Sequence, residues 1–393
     1  MRIAQVLQGM YVGGLENIVL HLSRHFAEAG HHVVVVTTDS RGPWWERLAE
    51  FELAGSHYSR QAFISGFAHA RQIGRHLSEY DLVFLHHAPI AQAVLGMLPD
   101  EPIVIPVIHN DTPAVYHVAC ANSLCWNVVV ATSSKIGEVA AARVKHRPVV
   151  CIRNGIPLPP PSVRSDGVDL RRAPRLVFVG RIEHRQKGVF LLPEILGAVR
   201  RAGFDATLSV IGAGPDLTAL REKFREIGLA EAVKFHGVLA QEHVYAHLLS
   251  SDILLMPSFH EGLPLVLLEA QASGCVPIVS RLPAPAEAVK EGITGILTSI
   301  GDPLGFAAQV IRLARNPDEW RSMSATAREH ATAMWSFDNT AHLYLALIER
   351  AQRREFPLPR SRRTQPAVDL SLLDGWRSLV PDALRRVRRA WKT

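Results

Sequence analysis

Short apolar runs alternate with amphipathic stretches along most of the chain. In the first half the runs fall at 3–7, 33–37, 82–85, 103–108, 128–131 and 149–152. Several are nearly continuous Val, Ile and Leu, which is typical of strands buried on both faces of a parallel sheet. The stretch 16–28 instead has apolar residues at helical spacing. The pattern therefore predicts an α/β domain with a doubly wound parallel sheet.

The alternation stops at 156–174, where prolines and polar residues replace the apolar runs. This composition indicates an interdomain linker. Apolar runs resume at 176–179, 207–211, 233–235, 253–256, 277–279 and 295–297. The expected organisation is an amino-terminal domain at 1–155, the linker at 156–174, a second doubly wound domain at 175–334, a helix at 335–352 and a tail at 353–393.

Ligands of doubly wound sheets bind beyond the carboxyl ends of the strands, and two such domains in series are expected to face a cleft. The segment 257–270 follows a predicted strand and opens a helix at Pro264, where the missing N–H of proline costs nothing. Amides at the start of a helix can bind a phosphate. The residues of this segment predicted to contact the bound ligand are Gly262, Leu263, Pro264, Leu265 and Val266.

Two glutamates accompany this helix start. Glu269 lies ~7.5 Å along the helix axis, at 1.5 Å per residue, a spacing that suits a ribose hydroxyl beside a diphosphate. Glu261 precedes the helix on the side where a sugar would lie. A surface loop with one solvated and one helix-stabilising glutamate is the alternative interpretation of this segment alone.

A second segment, 179–188, also follows a predicted strand. Arg181 and Lys187 leave the strand's carboxyl end together, and both can reach a diphosphate. Arginine supplies a planar fork of donors and lysine a point charge. A solvated basic loop is the alternative when this segment is taken by itself.

Two glycine pairs, Gly13-Gly14 and Gly212-x-Gly214, each join a predicted strand to a helix. Glycine lets the backbone approach a ligand closely, although structural tight turns have the same composition. Both pairs are candidate contacts of the bound nucleotide. Neither matches the G-x-G-x-x-G fingerprint, so a nicotinamide cofactor is not supported.

His109 ends a strand of the first domain and could contact a sugar hydroxyl or the acceptor, or be structural. No D-x-D pair occurs, so the carboxylates that bind Mg²⁺ or Mn²⁺ in metal-dependent sugar transferases are missing. No G-x-x-x-x-G-K-[ST] loop occurs either. We therefore expect neither a metal nor a cofactor.

Taken together, these segments resemble the retaining glycosyltransferases of family 4, which have the GT-B fold. The matching elements are Gly13-Gly14 with Glu16, His109, Asn154-Gly155-Ile156, Arg181 with Lys187-Gly188, Gly212-x-Gly214-Pro215, His236-Gly237, and Glu261 with Glu269. The specific part of the resemblance is the spacing of seven residues between the two glutamates, together with the upstream Arg/Lys pair.

The resemblance implies two Rossmann-like domains, with the donor bound mainly by the second and the helix at 335–352 crossing back to the first. It implies a metal-independent enzyme that moves a sugar from a nucleoside-diphosphate sugar to an acceptor hydroxyl with retention of configuration. Polysaccharide or glycolipid biosynthesis at the cell surface would be the setting. The implied roles are phosphate binding by Arg181 and Lys187 with Gly14 nearby, ribose binding by Glu269, and sugar contact by Glu261 and His109.

Two other functions stay open from the residues alone. A GT-B nucleotide-sugar epimerase would convert the donor to a new sugar nucleotide without an acceptor. A non-catalytic nucleotide-binding module would bind the donor without turnover. The second function is disfavoured because the chain has all four charged candidates together: Arg181, Lys187, Glu261 and Glu269.

The net charge of +6 is concentrated in the tail. Residues 352–393 hold 11 Lys/Arg and 4 Asp/Glu, whereas the rest of the chain has a net charge of −1. A nucleic-acid-binding body would carry its own basic face, so nucleic acid is not an expected partner. The stretch 381–391 predicts a basic amphipathic helix that could lie on an anionic membrane, pack on the body or stay solvated.

The expected location is the cytoplasm, with the tail as a candidate peripheral contact at the inner face of the membrane. No apolar run reaches the ~18 residues of a membrane helix. The four cysteines form no paired motif, which fits a reducing compartment. The expected partners are a nucleotide-sugar donor and a saccharide or lipid-linked acceptor.

Overall fold

The structure is a computed structural model that describes residues 1–60, 63–159, 170–171, 173–357, 362 and 367–373. These residues divide into two compact units. Unit 1 combines Met1–Arg153 with the described residues from Thr340 onward, and unit 2 is Asn154–Asn339. The segment predicted as a linker falls at the start of unit 2, and most of it lies outside the described residues.

Unit 1 contains a parallel sheet of seven strands in the order β3-β2-β1-β4-β5-β6-β7. The strands are β1 Arg2–Leu7, β2 His32–Thr37, β3 Ala54–His57, β4 Leu82–His86, β5 Ile103–Ile108, β6 Val129–Ala131 and β7 Val149–Cys151. The helices are α1 Gly14–Glu28, α2 Arg47–Glu50, α3 Gly66–Leu77, α4 Pro89–Ala93, α5 Pro113–Ala119 and α6 Ser134–Arg143, with a 3₁₀ turn at Leu95–Met97. All six apolar runs of the first half are strands.

One strand, β3, has no apolar run, and the apolar pattern does not predict it. Its sequence is Ala-Gly-Ser-His, and none of its four positions is buried. β3 pairs only with β2 at the edge of the sheet. An edge strand needs no continuous apolar run because little of it faces the core.

β1 illustrates how the sheet is buried on both faces. Ala4 and Val6 belong to the apolar cluster on one face. Leu7 and the neighbouring Val35 belong to the cluster on the other face, where Leu20 of α1 packs. Successive side chains of a strand point to opposite faces, so nearly every residue of a central strand must be apolar.

Unit 2 contains a parallel sheet of six strands in the order β10-β9-β8-β11-β12-β13. The strands are β8 Arg175–Val179, β9 Thr207–Ile211, β10 Val233–Gly237, β11 Ile253–Met256, β12 Val276–Ser280 and β13 Ile296–Thr298. The helices are α7 His184–Lys187, α8 Leu192–Arg201, α9 Leu217–Glu226, α10 Gln241–Ser250, α11 Leu265–Ala272, α12 Pro283–Ala288, α13 Pro303–Arg315 and α14 Pro317–Met334, with 3₁₀ turns at Val189–Leu191 and Ala230–Ala232. A last helix, α15 Phe337–Gln352, begins in unit 2 and continues into unit 1.

In both sheets the strand order reverses at the first strand of the unit. From β1 the chain adds β2 and β3 on one side of the sheet and then returns to place β4 on the other side of β1. In unit 2 it adds β9 and β10 on one side of β8 and then returns to place β11 on the other side. Such a switch point leaves the carboxyl ends of two adjacent strands open to a ligand. Each unit is therefore a doubly wound, Rossmann-like domain, as the sequence predicts.

The helix predicted at 335–352 is α15, and its residues from Thr340 onward belong to unit 1. Tyr344 is fully buried there. Its ring lies 6.3 Å from that of Phe26 and 5.8 Å from that of Phe84, measured between centroids. Aromatic packing thus fixes this helix to the core of unit 1.

Part of the basic tail is also packed on unit 1. Arg362 is fully buried, and its guanidinium donates to the backbone carbonyls of Cys125 at 2.8 Å, Pro102 at 2.9 Å, and Pro99. The Arg362 amide donates to the Asp100 carboxylate at 2.9 Å. Burial lowers the pKa of Arg362. This arginine is a structural anchor rather than a solvated charge.

Further contacts extend the anchored segment. Arg147 donates to the carbonyl of Pro357 at 3.1 Å, and Val368 joins the apolar cluster of unit 1. A 3₁₀ turn follows at Leu370–Leu372. The stretch 381–391, predicted as a basic amphipathic helix, lies outside the described residues. Within the described part of the chain, no helix is long and apolar enough to cross a membrane.

Arg362→Ala is expected to lower the free energy of unfolding by ~3 kcal/mol, because it leaves buried carbonyl groups without donors. Arg353→Ala is the matched control, since its side chain is 59% exposed and it lies in the same tail; that variant should stay within about 0.5 kcal/mol of the original chain. Denaturant unfolding followed by tryptophan fluorescence measures both. Equal midpoints for the two variants would contradict the anchoring role.

Candidate functional site

The candidate site in unit 2 is built from two loops that follow adjacent strands. β8 and β11 pair in parallel, with Leu176 opposite Ile253 and Val177 opposite Leu254. Their carboxyl ends therefore lie side by side at the switch point. The β8 loop carries the predicted cations, and the β11 loop carries Glu261.

The two loops are joined by close backbone contacts. Gly188 ends the short helix α7 in a left-handed conformation, with φ 63°. A Cβ at this position would lie 2.0 Å from the carbonyl oxygen of Pro257. The amide of Phe259 donates to the carbonyl of Gln186 at 2.8 Å. Only glycine permits this approach, which brings the end of α7 against the β11 loop.

Lys187 and Glu261 form a direct ion pair between these loops. The Lys187 Nζ atom lies 2.6 Å from Glu261 Oε1, and the side chains are 17% and 5% exposed. The hydroxyl of Ser258 donates to the same carboxylate oxygen at 2.7 Å. Two donors on Oε1 fix the orientation of the Glu261 carboxylate.

Ser258 is a residue that the sequence analysis does not identify. It is fully buried and lies three residues before Glu261. A serine in a loop after a strand is common, and no spacing marks it as functional. Only its hydrogen bond in the folded protein distinguishes it.

Arg181 lies in the same loop as Lys187 but makes a different contact. Its side chain is 65% exposed and its Nε atom lies 3.2 Å from Glu183 Oε2. An exposed ion pair of this kind contributes little to stability. The guanidinium is therefore free to turn toward an anionic ligand, although the structure does not join it to the Lys187–Glu261 pair.

The helix predicted after the β11 loop is α11, and Pro264 is its N-cap. Leu265 and Val266 are its first two residues, and the amides at these positions have no partner within a helix. Leu263 is buried in the apolar cluster of this region, so that only its backbone is available to a ligand. A row of amides thus follows directly after Glu261.

Glu269 is the fifth residue of α11 and is 8% exposed. Gln241, at the start of α10, donates to Glu269 Oε1 at 3.0 Å. Burial raises the pKa of Glu269 to about 7, while the hydrogen bond from Gln241 acts in the opposite direction. The site therefore holds a carboxyl group that can change charge near neutral pH. Gln241 is a second residue that sequence reasoning does not identify.

The Gly212-x-Gly214 pair makes a structural contact with the β8 loop. A Cβ at Gly212 would lie 1.9 Å from the carbonyl oxygen of Gly180, and one at Gly214 would lie 2.2 Å from that of Ile182. The two glycines let the end of β9 pack against the loop that carries the cations. Their contact with a bound nucleotide stays a prediction.

Three of the predicted site residues, Gly13, Gly14 and His109, belong to unit 1. Gly13 is the N-cap of α1 and Gly14 is its first residue, at the carboxyl end of β1. Glu16, which follows in the first turn, is 7% exposed, and burial raises its pKa to about 7. The loop after the first strand is therefore backed by a buried carboxyl group.

His109 directly follows β5 and is 8% exposed. Its Nε2 atom lies 2.9 Å from Nδ1 of His86. Burial lowers the pKa of His109 to about 3, so that the ring is uncharged at neutral pH. The predicted residues are thus assembled in two groups, one in each unit.

Two other features of the described residues lie away from these groups. A cavity of about 650 Å³ opens at the amino edge of the unit 1 sheet, and none of its lining residues is a predicted site residue. No cluster of three or more His, Cys, Asp or Glu side chains suited to a metal occurs among the described residues.

Comparison with known proteins gives two family matches. Residues 12–159 match the model described as Glycosyltransferase Family 4, and residues 173–316 match Glycosyl transferases group 1. Together the models cover about three quarters of the chain.

Two relatives illustrate the similarity in sequence. The glycogen synthase of Mycobacterium tuberculosis is 26% identical over 92% of this chain and 96% of its own length. The GDP-mannose-dependent alpha-(1-6)-phosphatidylinositol monomannoside mannosyltransferase of the same organism is 32% identical over 44% of this chain and 46% of its own length.

Solved structures share the fold. Anabaena HepE, in complex with UDP and glucose, has a TM-score of 0.76 at 17% identity and covers 89% of this chain and 99% of its own. The sucrose-phosphate synthase of Thermosynechococcus elongatus has a TM-score of 0.69 at 19% identity and covers 90% of this chain and 100% of its own. With two Rossmann-like domains and both family models matched, this chain belongs to the family 4 glycosyltransferases and has the GT-B fold.

Proposed function

We propose that this glycosyltransferase takes a sugar from a nucleoside-diphosphate sugar and transfers it to an acceptor hydroxyl with retention of anomeric configuration. The observation that carries the proposal is the partly buried Lys187–Glu261 pair directly before the amides that open α11. Relatives support the donor class: one is named GDP-mannose-dependent, and the HepE structure has been solved with UDP-glucose.

The proposed mechanism rests on neutralising the leaving group. The nucleoside diphosphate gains negative charge as its bond to the sugar breaks. Lys187, Arg181 and the amides of Leu265 and Val266 would stabilise that charge without a metal ion. Preorganised cations and amides act most strongly at the moment when the charge develops.

Donor binding would rearrange the ion pair. In the free protein the Lys187 ammonium is neutralised by Glu261 at 2.6 Å. A diphosphate carries more negative charge than a single carboxylate and would compete for the ammonium. Glu261 would remain oriented by Ser258, and its carboxylate could then accept hydrogen bonds from sugar hydroxyls.

Glu269 would bind the ribose. A carboxylate accepts hydrogen bonds from two vicinal hydroxyls only in its ionised form. The pKa of about 7 means that part of the population is protonated in the free protein near neutral pH. Ribose binding would therefore favour loss of that proton.

The acceptor is proposed to be a saccharide or a lipid-linked saccharide used in cell-surface polysaccharide or glycolipid synthesis. The names of the two M. tuberculosis relatives, a glycogen synthase and a phosphatidylinositol monomannoside mannosyltransferase, support these acceptor classes. We also propose cytoplasmic placement, with residues 374–393 contacting the inner face of the membrane. That segment holds 6 Lys/Arg and 2 Asp/Glu, a composition that favours anionic lipid.

Lys187→Ala is expected to reduce kcat/KM for donor hydrolysis by about 100- to 1000-fold, as for loss of one donor to a developing oxyanion. Release of the nucleoside diphosphate, measured with and without EDTA, is the assay. Arg185→Ala is the control, because this exposed arginine lies in the same helical turn and should leave turnover unchanged. Unchanged turnover in Lys187→Ala, or loss of turnover with EDTA, would refute the metal-free phosphate clamp.

The same assay separates the transferase from a nucleotide-sugar epimerase. Without an acceptor, a transferase releases free sugar and nucleoside diphosphate, whereas an epimerase yields a new sugar nucleotide. Chromatography of the products therefore decides between the two activities.

Donor affinity is expected to weaken below about pH 7, because Glu269 must be ionised to accept the ribose hydroxyls. Linkage to one proton predicts a rise in Kd of up to about tenfold per pH unit on the acidic side. Calorimetric titration with an intact nucleotide sugar, which has no terminal phosphate that titrates in this range, measures the profile. Glu269→Gln should bind more weakly and give a flat profile; an unchanged slope in that variant would assign the effect to another group.

The full chain is expected to co-sediment with vesicles that contain anionic lipid, and a chain ending at Leu373 is expected to stay in the supernatant. This truncation keeps Arg362 and Val368, which pack on unit 1, so that it removes the basic segment alone. Vesicles of neutral lipid are the control. Equal sedimentation of the two chains would remove the membrane role.

A further inference from the structure

A chain of three buried polar side chains runs across the sheet of unit 1. His86 Nε2 lies 2.6 Å from Gln5 Oε1, and His86 Nδ1 lies 2.9 Å from His109 Nε2. The three residues are 0%, 1% and 8% exposed in the order Gln5, His86, His109. They come from β1, the end of β4 and the residue after β5, which are neighbours around the switch point.

Polar side chains are unusual at such positions. The flanking residues of these strands, including Ala4, Phe84 and Ile108, are fully buried and apolar. A buried hydrogen-bonded network in this setting is stable only when each member has a partner of the right kind. The chain has two open ends, because Gln5 Nε2 and His109 Nδ1 are both buried without a hydrogen-bond partner among the described residues.

Both rings are uncharged at neutral pH. Burial lowers the pKa of His86 well below its usual value and that of His109 to about 3. A nearby imidazole adds to the effect in each case: His109 for His86, and His87 for His109. Each neutral ring therefore has one N–H donor and one acceptor nitrogen.

In the structure the Oε1 atom of Gln5, and not its Nε2 atom, faces His86, and this orientation of the amide sets the positions of the protons. An oxygen only accepts, so His86 Nε2 carries the hydrogen and His86 Nδ1 is an acceptor. His109 Nε2 must then be the donor to His86, which leaves His109 Nδ1 with a lone pair. Among the described residues this Nδ1 is buried and has no hydrogen-bond partner.

We infer that Gln5 and His86 are positioning residues that hold His109 in its Nε2–H tautomer, so that Nδ1 accepts a hydrogen bond from a sugar hydroxyl. An acceptor nitrogen selects for a hydroxyl, because a carbonyl or phosphate oxygen offers no hydrogen. The tautomer follows from unit 1 alone. The identity of the hydroxyl-bearing ligand rests on the proposed function.

The tautomer can be read directly by long-range ¹H–¹⁵N NMR of the full chain with ¹⁵N-labelled histidine, with His109→Asn used to identify the signals. We expect His109 to carry its proton on Nε2 in the free protein. A proton on Nδ1 would overturn the inference. Because this measurement needs neither substrate nor turnover, its outcome is independent of whether the enzyme is a transferase.

Gln5→Leu removes the acceptor that orients the chain. In this variant His109 is expected to become a mixture of tautomers. We expect kcat/KM to fall ~10-fold, at the lower end of the loss that follows removal of the outer hydrogen-bond partner of a metal-bound histidine. His69 is the internal control, since its Nε2 atom lies 2.9 Å from the Thr38 carbonyl and does not contact Gln5. A pure Nε2–H tautomer of His109 in the Gln5→Leu variant would contradict the positioning role.

Ligand titrations test whether His109 Nδ1 accepts a hydrogen bond from a sugar hydroxyl. The His109 Nδ1 resonance should shift with a nucleotide sugar if the hydroxyl belongs to the donor, and with octyl glucoside if it belongs to an acceptor-like saccharide. The nucleoside diphosphate, which lacks the transferred sugar, should leave the resonance in place. A shift with the diphosphate, or with none of the three ligands, would refute the role of Nδ1.

Discussion

The candidate site depends on one constraint of the fold: two adjacent parallel strands have connections that leave in opposite directions. At β8 and β11 this arrangement opens the strand ends, and each strand delivers one charged residue there, Lys187 from one loop and Glu261 from the other. The charges meet because Gly188 has no side chain to hold the β11 loop away. Neither charge could be buried alone, since an unpaired ion in this environment is strongly destabilising. The strand order, Gly188 and the ion pair therefore depend on one another.

Much of the fold can be read from the sequence, because strands buried on both faces need continuous apolar runs. Twelve such runs predict strands, and all twelve are strands in the structure. The sequence does not predict β3, because its small and polar residues lie at the sheet edge. The charged candidates could be identified from their positions after strands. Their pairing could not, because 74 residues separate Lys187 from Glu261 and only the register of β8 and β11 brings them together. Ser258 and Gln241 act through contacts that no local spacing encodes.

The tail shows a limit of reasoning from charge. Arg362 counts toward the excess of basic residues just as the exposed Arg353 does, yet it is fully buried and donates to backbone carbonyls. Guanidinium groups suit this role because their several donors can satisfy more than one carbonyl at once. Net charge therefore describes the whole segment poorly: one part is an element of unit 1, and only the residues beyond it remain candidates for lipid contact.

Each unit also buries a carboxyl group near a helix start, Glu16 in α1 and Glu269 in α11, and burial raises both pKa values to about 7. A carboxyl whose pKa is higher in the folded than in the unfolded state binds more protons when folded. Stability then falls as the pH rises from the unfolded value toward 7, so at neutral pH these groups lower the free energy of unfolding. An apolar residue at either position would avoid that loss. A ligand that donates hydrogen bonds to the ionised carboxylate would offset this loss of stability. The loss of stability in the free protein is therefore the physical reason to regard Glu16 and Glu269 as binding residues rather than structural ones.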